Sequence, residues 1–343
     1  MAAITNLTQT SSHPPTYNAQ IWIFSQVVTA VLVIATAWFF AAFVSYGRRN
    51  SNKWNLPRNP HKYNNKFVLL LLATVSTGGL MVRLLVTQAL IVVERTASDQ
   101  TWGNNACEVA IDMSVILFSA TTMPAYFFFW CRQNFLYSQP LLDHLRTRTV
   151  RFLNYLFLFI LFTGGASSAF INTIPRSYRI SLAPHRGGCV QREDAPKNYA
   201  ANYITVTTLI LVQLILLGLF CHPLLYYKKM QEQATLVNSS FASAGDATAT
   251  ATLPQNRANN VERLYKTMRR AFVSMFICVT SDALAAFLIA KTLNAADTPQ
   301  SLTRVVYDVS LFMNIVAMTL GFEDTRGVFL GMCRARSSLI VTS

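Results

Sequence analysis

Apart from Arg151 at the edge of one run, five charged side chains interrupt the apolar runs of a 343-residue chain that is only 13% charged, and these are where chemistry has to be sought. Arg83 falls about 16 residues into the run 67–93, roughly 24 Å along a helix at 1.5 Å per residue. An arginine at the centre of a membrane span costs about 2.5–3.5 kcal/mol even on the lenient insertion scale, so it needs a partner or water. The acids at comparable height are Glu108 and Asp112, four apart and so on one helix face, together with Asp282 and Asp308. Residues from four different runs converging on one layer are how a helix bundle lines a wet cavity. Two readings stay open. Arg83, Glu108, Asp112, Asp282 and Asp308 contact a ligand, or Arg83 pairs with Asp112 or Asp308 and holds helices together.

Catalysis has no comparable support. His13, His61, His144, His185 and His222 lie in the amino-terminal tail, in loops or at a span end, and none lies mid-membrane. No metal or nucleophile constellation forms from them. Neither an enzyme nor a cofactor is expected.

The elements that must position the charges are membrane spans. Half of the residues are apolar (52%), the mean hydropathy is positive, and a bilayer core needs roughly 20 apolar residues per helix. Runs of that kind cover 21–46, 67–93, 107–131, 150–172, 201–227, 271–290 and 305–322. The third run, aromatic and apolar, is expected to end at Arg132. The fold class is therefore an all-α membrane protein, a seven-helix bundle.

The net charge of +14 invites a nucleic-acid reading, and the placement of the charges removes it. Residues 1–20 and the loops 94–106, 173–200 and 291–304 carry eight Lys and Arg, whereas the loops 47–66, 132–151 and 228–270 and the tail carry 20; Arg83 completes the 29. The positive-inside rule then puts the amino terminus outside and the carboxyl terminus inside, and the basic excess serves contact with anionic membrane lipid. A cleaved signal peptide is not expected, because the first run is too long and nothing basic precedes it. Residues 1–20 form an extracellular tail, 21–322 the seven-span domain and 323–343 a cytoplasmic tail.

This topology sorts the modification signals. Asn6 in Asn6-Leu7-Thr8 faces the lumen as a glycosylation acceptor, while Asn238 falls inside and should stay unmodified. Cys131, Cys221 and Cys278 belong to the inner half of spans and Cys333 to the tail, leaving Cys107 and Cys189 in the oxidising compartment. A bond between these two would close a loop of about 80 residues, on the order of 4 kcal/mol in the chain-entropy model; two free thiols are the alternative.

The inner loop 231–260, containing "NSSFASAGDATATATLPQNRANN", is small and polar and expected to be flexible. Gly164 with Ser168, and Gly165 with Ala169, have the small-xxx-small spacing of close helix packing. After the last span, Glu323 and Asp324 suit a helix start. Phe322 and Phe329 opposite Arg326, Arg334 and Arg336 fit a short amphipathic helix in the interface, with Cys333 placed for palmitoylation.

Seven spans with the amino end outside, Cys107 at the outer end of span three, Cys189 in the second outer loop, Arg132 25 residues after Cys107, Pro140-Leu141 soon after, and an amphipathic helix with a cysteine behind span seven together resemble a rhodopsin-like (class A) G-protein-coupled receptor. The resemblance implies that Arg132 receives the tail of a heterotrimeric G protein, with Lys266, Arg269 and Arg270 at the basic inner end of span six beside it. It also implies an unknown extracellular ligand in the outer half of the bundle and a multi-pass place in the plasma membrane.

The layout covers most of the chain, and several family motifs are changed. Cys131-Arg132-Gln133 stands for Asp-Arg-Tyr, and Ser76 stands where the sodium-site aspartate would be, so no sodium regulation is expected. Span one lacks the asparagine, span four the tryptophan and span five the mid-helix proline. "FICVTSD" keeps Cys278 without Trp-x-Pro, and "NIVAMTLGF" aligns Asn314 and Phe322 without Asn-Pro. An opsin is excluded, since no lysine lies between Thr303 and Phe322. A transporter or channel with a polar outer cavity is the rival reading. The charge of the ligand stays open: the four acids favour a cation, while Arg176, Arg179, Arg186 and Arg192 in the second outer loop favour an anion.

Overall fold

The computed structural model describes residues 16–54, 60–96, 100–139, 142–173, 178–181, 188–191, 199–243, 255–294, 300–322 and 328. Its helices are α1 (Thr16–Trp54), α2 (Pro60–Thr96), α3 (Gln100–Tyr137), α4 (Arg148–Thr173), α5 (Tyr199–Ser243), α6 (Gln255–Asn294) and α7 (Gln300–Gly321). All seven are long and apolar enough to cross a membrane. A helix is what such a segment must form, because hydrocarbon offers no water to its backbone N–H and C=O groups. The buried hydroxyls follow the same rule within their helices: Thr29, Thr77 and Thr319 donate to the carbonyls of Ser25, Ala73 and Ile315, four residues back.

Neighbours in sequence are neighbours in space. Each helix packs against the next, α7 returns to α1 and α2, and α3 runs through the middle, touching α2, α4, α5, α6 and α7. Exposed positions on the outside of the bundle are apolar, as on α4, where Phe152, Tyr155, Phe159 and Phe162 point outward and Tyr155 is 74% exposed. That is the face a lipid tail meets. Gly164 and Gly165 are the close-packing points the spacing predicts: a Cβ on either would overlap Thr208 of α5 or Met123 of α3.

Three boundaries differ from expectation. The third helix does not stop at Arg132; α3 continues through Gln133 and Phe135 to Tyr137, whose hydroxyl donates to the Leu219 carbonyl of α5 at 3.0 Å. The expected flexible stretch 231–260 is helical over 231–243 and 255–260, since the Lys, Met, Gln, Glu, Ala and Leu that follow Tyr227 are strong helix formers. Between α4 and α5 a hairpin forms, β1 (Tyr178–Ser181) antiparallel to β2 (Gly188–Gln191), with Ile180 opposite Cys189. Strand β1 packs on α3, and β2 on α2 and α7. The hairpin marks one end of the bundle, and Arg132 lies toward the other. The amphipathic helix expected over 323–343 lies outside the described residues apart from Val328, which is buried.

Candidate functional site

Two clusters form inside the bundle around sequence-predicted charges, one at Arg83 and Asp308 and one at Asp282. In the first, Arg83 of α2 and Asp308 of α7 are 3% and 0% exposed and are paired through Nε and Oδ1 at 2.5 Å. Thr87, one turn beyond Arg83, donates to the other carboxylate oxygen at 3.0 Å. Arg83 Nη1 donates to the Ser114 carbonyl of α3, and the guanidinium stands 5.4 Å from the centre of the Phe118 ring. With a carboxylate, a carbonyl and a ring face engaged, Arg83 acts as a tie among α2, α3 and α7. Of the two partners the sequence leaves open, Asp308 takes the ion pair.

Asp282 of α6 belongs to the second cluster, beyond the edge-to-face pair of Phe118 and Tyr307. One oxygen accepts from Ser310 and from Asn314 (3.2 Å), both on α7. The other accepts from Tyr126 of α3 and from Gln213 of α5 (2.5 Å), and Gln213 also donates to the Tyr126 hydroxyl at 2.7 Å. Four helices thus meet on one carboxylate. Among the described residues no basic side chain pairs with it. Tyr126 lies 11 residues before the end of α3, roughly 16 Å, so this cluster sits near mid-depth, lower than the outer third expected for Arg83 and its neighbours.

A cavity of about 160 Å³ opens beside Asp282, between α3, α5, α6 and α7. Its polar lining is Asp282, Gln213, Ser310, Asn314, Thr122 and Tyr307; the remaining lining is aliphatic or aromatic. Arg83 and Asp308 are not part of the wall. Glu108 and Asp112 are half-buried nearer the hairpin end of α3, each engaged with a neighbour, and they too lie outside the cavity wall. Of the five candidates, only Asp282 faces the space a ligand would fill.

At the other end of the bundle Arg132 is almost fully buried, flanked by buried Cys131 and Gln133. Lys266, Arg269 and Arg270 are exposed on the early turns of α6, where Tyr265 stacks on Tyr227 of α5 at 5.2 Å. Cys107 is fully buried and disulfide-bonded, while Cys131, Cys221 and Cys278 are free thiols. Asn6 and Cys333 lie outside the described residues.

Sequence reasoning missed Tyr126, Gln213, Ser310 and Thr122. A signal existed in spacing: Thr122 and Tyr126 are four apart on α3, Ser310 and Asn314 four apart on α7, so each pair presents polar atoms to one face. Among the described residues no group of three His, Cys, Asp or Glu could hold a metal ion. The chain matches no protein-family model and no curated protein.

Proposed function

We propose that this protein is a G-protein-coupled receptor of the rhodopsin-like kind, with its amino terminus outside, that binds an extracellular ligand in the cavity beside Asp282 and signals to a heterotrimeric G protein. The observation that carries this reading is the meeting of α3, α5, α6 and α7 on the Asp282 carboxylate at the cavity wall. A ligand that alters any one of those hydrogen bonds alters the relative positions of four helices at once. A change in α3 is then passed along a rigid helix from Tyr126 to Arg132, six residues further, at the end where a G protein would dock. The ligand has only to bind one arrangement better than the other.

In this reading Arg132 receives the G protein's tail, with Lys266, Arg269 and Arg270 presenting positive charge beside it. Cys107 is bonded to Cys189, Asn6 carries a glycan, Cys333 is palmitoylated, and the protein resides in the plasma membrane. Energy-transfer measurement of heterotrimer dissociation in cells, across several Gα classes and without added ligand, tests it. Basal coupling that vanishes in Arg132→Ala at equal surface expression supports the receptor; no coupling to any Gα shifts the reading to a transporter. Asp282 favours that second reading in one respect, since a half-buried acid with no basic partner among the described residues is also how transporters bind a coupling cation. Ion flux that depends on Asp282 would distinguish it.

A further inference from the structure

The tie between cationic and anionic ligands is decided by what lines the cavity. We infer that it takes a cationic amphiphile: a primary ammonium head held at Asp282, Asn314 and Thr122, and an apolar body directed between α5 and α6. The inference deepens the reading of this cavity as a ligand pocket and rests on it.

Charge comes first. Arg83, the candidate anion contact of the bundle interior, is consumed by Asp308, Thr87 and Ser114 act with the same pair, and none of these four residues lines the cavity. The ionisable carboxylate that does line it, Asp282, receives hydrogen bonds from neutral groups and has no basic partner among the described residues. A carboxylate in a low-dielectric interior is strongly favoured by a cation close by. An anionic ligand would meet the reverse.

Hydrogen bonding narrows the cation. Thr122 Oγ1 and Asn314 Oδ1 have no hydrogen-bond partner in the protein although their residues are only 6% and 2% exposed, and both line the same cavity as Asp282. Buried polar atoms left in this state cost free energy until a partner is supplied. Asn314 Oδ1 can only accept, and its Nδ2 is already directed at Asp282. The cavity therefore offers two open acceptors, a carbonyl oxygen and a hydroxyl, beside a carboxylate whose lone pairs already receive Ser310, Asn314, Tyr126 and Gln213; a primary ammonium donates to the first two and meets the third through its charge, displacing one neutral donor for its third N–H. A quaternary ammonium has no donor for Asn314 or Thr122, and an alcohol brings no charge.

The rest of the wall decides the body. Val206 and Ile210 of α5 and Ala283 and Ala286 of α6 line the cavity, and of these Ile210 is 47% exposed and Ala283 is exposed on the outside of the bundle. The cavity thus reaches the lipid-facing surface between two helices. With about 160 Å³ of enclosed room, below the roughly 300–1,000 Å³ of drug-sized sites, the cavity holds the head group and the first carbons, and the rest of an alkyl chain extends through the opening between α5 and α6.

The test is thermal unfolding of the purified full-length chain in zwitterionic lipid nanodiscs with decylamine, decanol or decanoate, which share one chain length and differ in head group. Decylamine should raise the melting temperature saturably by at least ~3 °C, with decanol and decanoate producing less than a third of that shift. Asp282→Asn should abolish the difference between amine and alcohol. Ala286→Trp, which adds bulk to the apolar arm one turn from Asp282 and removes no polar group, should weaken the decylamine response at least ten-fold in concentration, and it serves should Asp282→Asn fail to fold. Equal shifts from amine and alcohol, a larger shift from decanoate, or an amine response unchanged in Ala286→Trp would overturn the inference. No G protein enters the assay. A negative result here leaves a positive coupling result in cells standing, and the converse also holds.

Discussion

Arg132 lies so close against Gly321 that a Cβ built on the glycine would overlap its Nη1 atom. The contact joins the far end of α3 to the last residue of α7, and Phe128 reinforces it by packing on Phe322 with ring centres 5.5 Å apart. A resemblance to class A receptors leads one to look for an acid beside the arginine, yet Cys131 stands there. In this chain a small residue on α7 stands against the guanidinium Nη1.

Gly321→Ala should therefore push Arg132 out of its place. Moving it off its rotamer costs about 1 kcal/mol, which is about a five-fold change in a two-state ratio. Basal heterotrimer dissociation should rise by that order over wild type, and the double variant Gly321→Ala/Arg132→Ala should show none. A silent Gly321→Ala at normal surface expression would mean that this contact does not restrain the arginine.

Breaking the Arg83–Asp308 pair from one side should be far more damaging than removing both charges. Arg83→Ala or Asp308→Ala leaves a buried ion without its counterpart, a loss of about 3–5 kcal/mol. Arg83→Met/Asp308→Leu replaces both with apolar groups of similar bulk and should lose much less. Melting temperatures in detergent should rank wild type and the double variant above both single variants. If the double variant is the least stable, the pair is not the tie among α2, α3 and α7 described above.

Cys107→Ser should lower stability by on the order of 4 kcal/mol for a loop of about 80 residues, if the partner is Cys189. Cys189→Ser should then match it, and the double variant should be no worse than either, because the two changes remove one bond. Additive losses in the double variant would assign Cys107 another partner. Electrophoretic mobility with and without reductant reads the bond directly.

Orientation is open to a direct check through the two acceptor motifs. Glycosidase treatment should shift the mobility of the wild type and leave Asn6→Gln unmoved, while Asn238→Gln should behave like wild type. An amino-terminal epitope should be accessible in unpermeabilised cells. A glycan on Asn238 would invert the topology and place Arg132 on the wrong side for any G protein.

The sequence alone was sufficient for the seven helices and for the presence of charges within them, because both follow from local composition. A run of some 20 apolar residues has no other stable form in hydrocarbon, and a charge within it is visible wherever it falls. It did not set the helix ends: the polar continuation of α3 past Arg132 and of α5 to Ser243 adds length through propensity and neighbouring contacts, not through hydropathy. Partner choice lay beyond it as well. Asp112 and Asp308 were equivalent candidates for Arg83 on height, and only the rotation of α7 against α2 brings Asp308 to 2.5 Å. The same rotations gather Tyr126, Gln213, Ser310 and Asn314 onto Asp282, although these residues are separated by as many as 188 positions along the chain. Neutral polar residues in a span give little hydropathy signal one by one. They become a site only when packing turns their faces toward a single carboxylate.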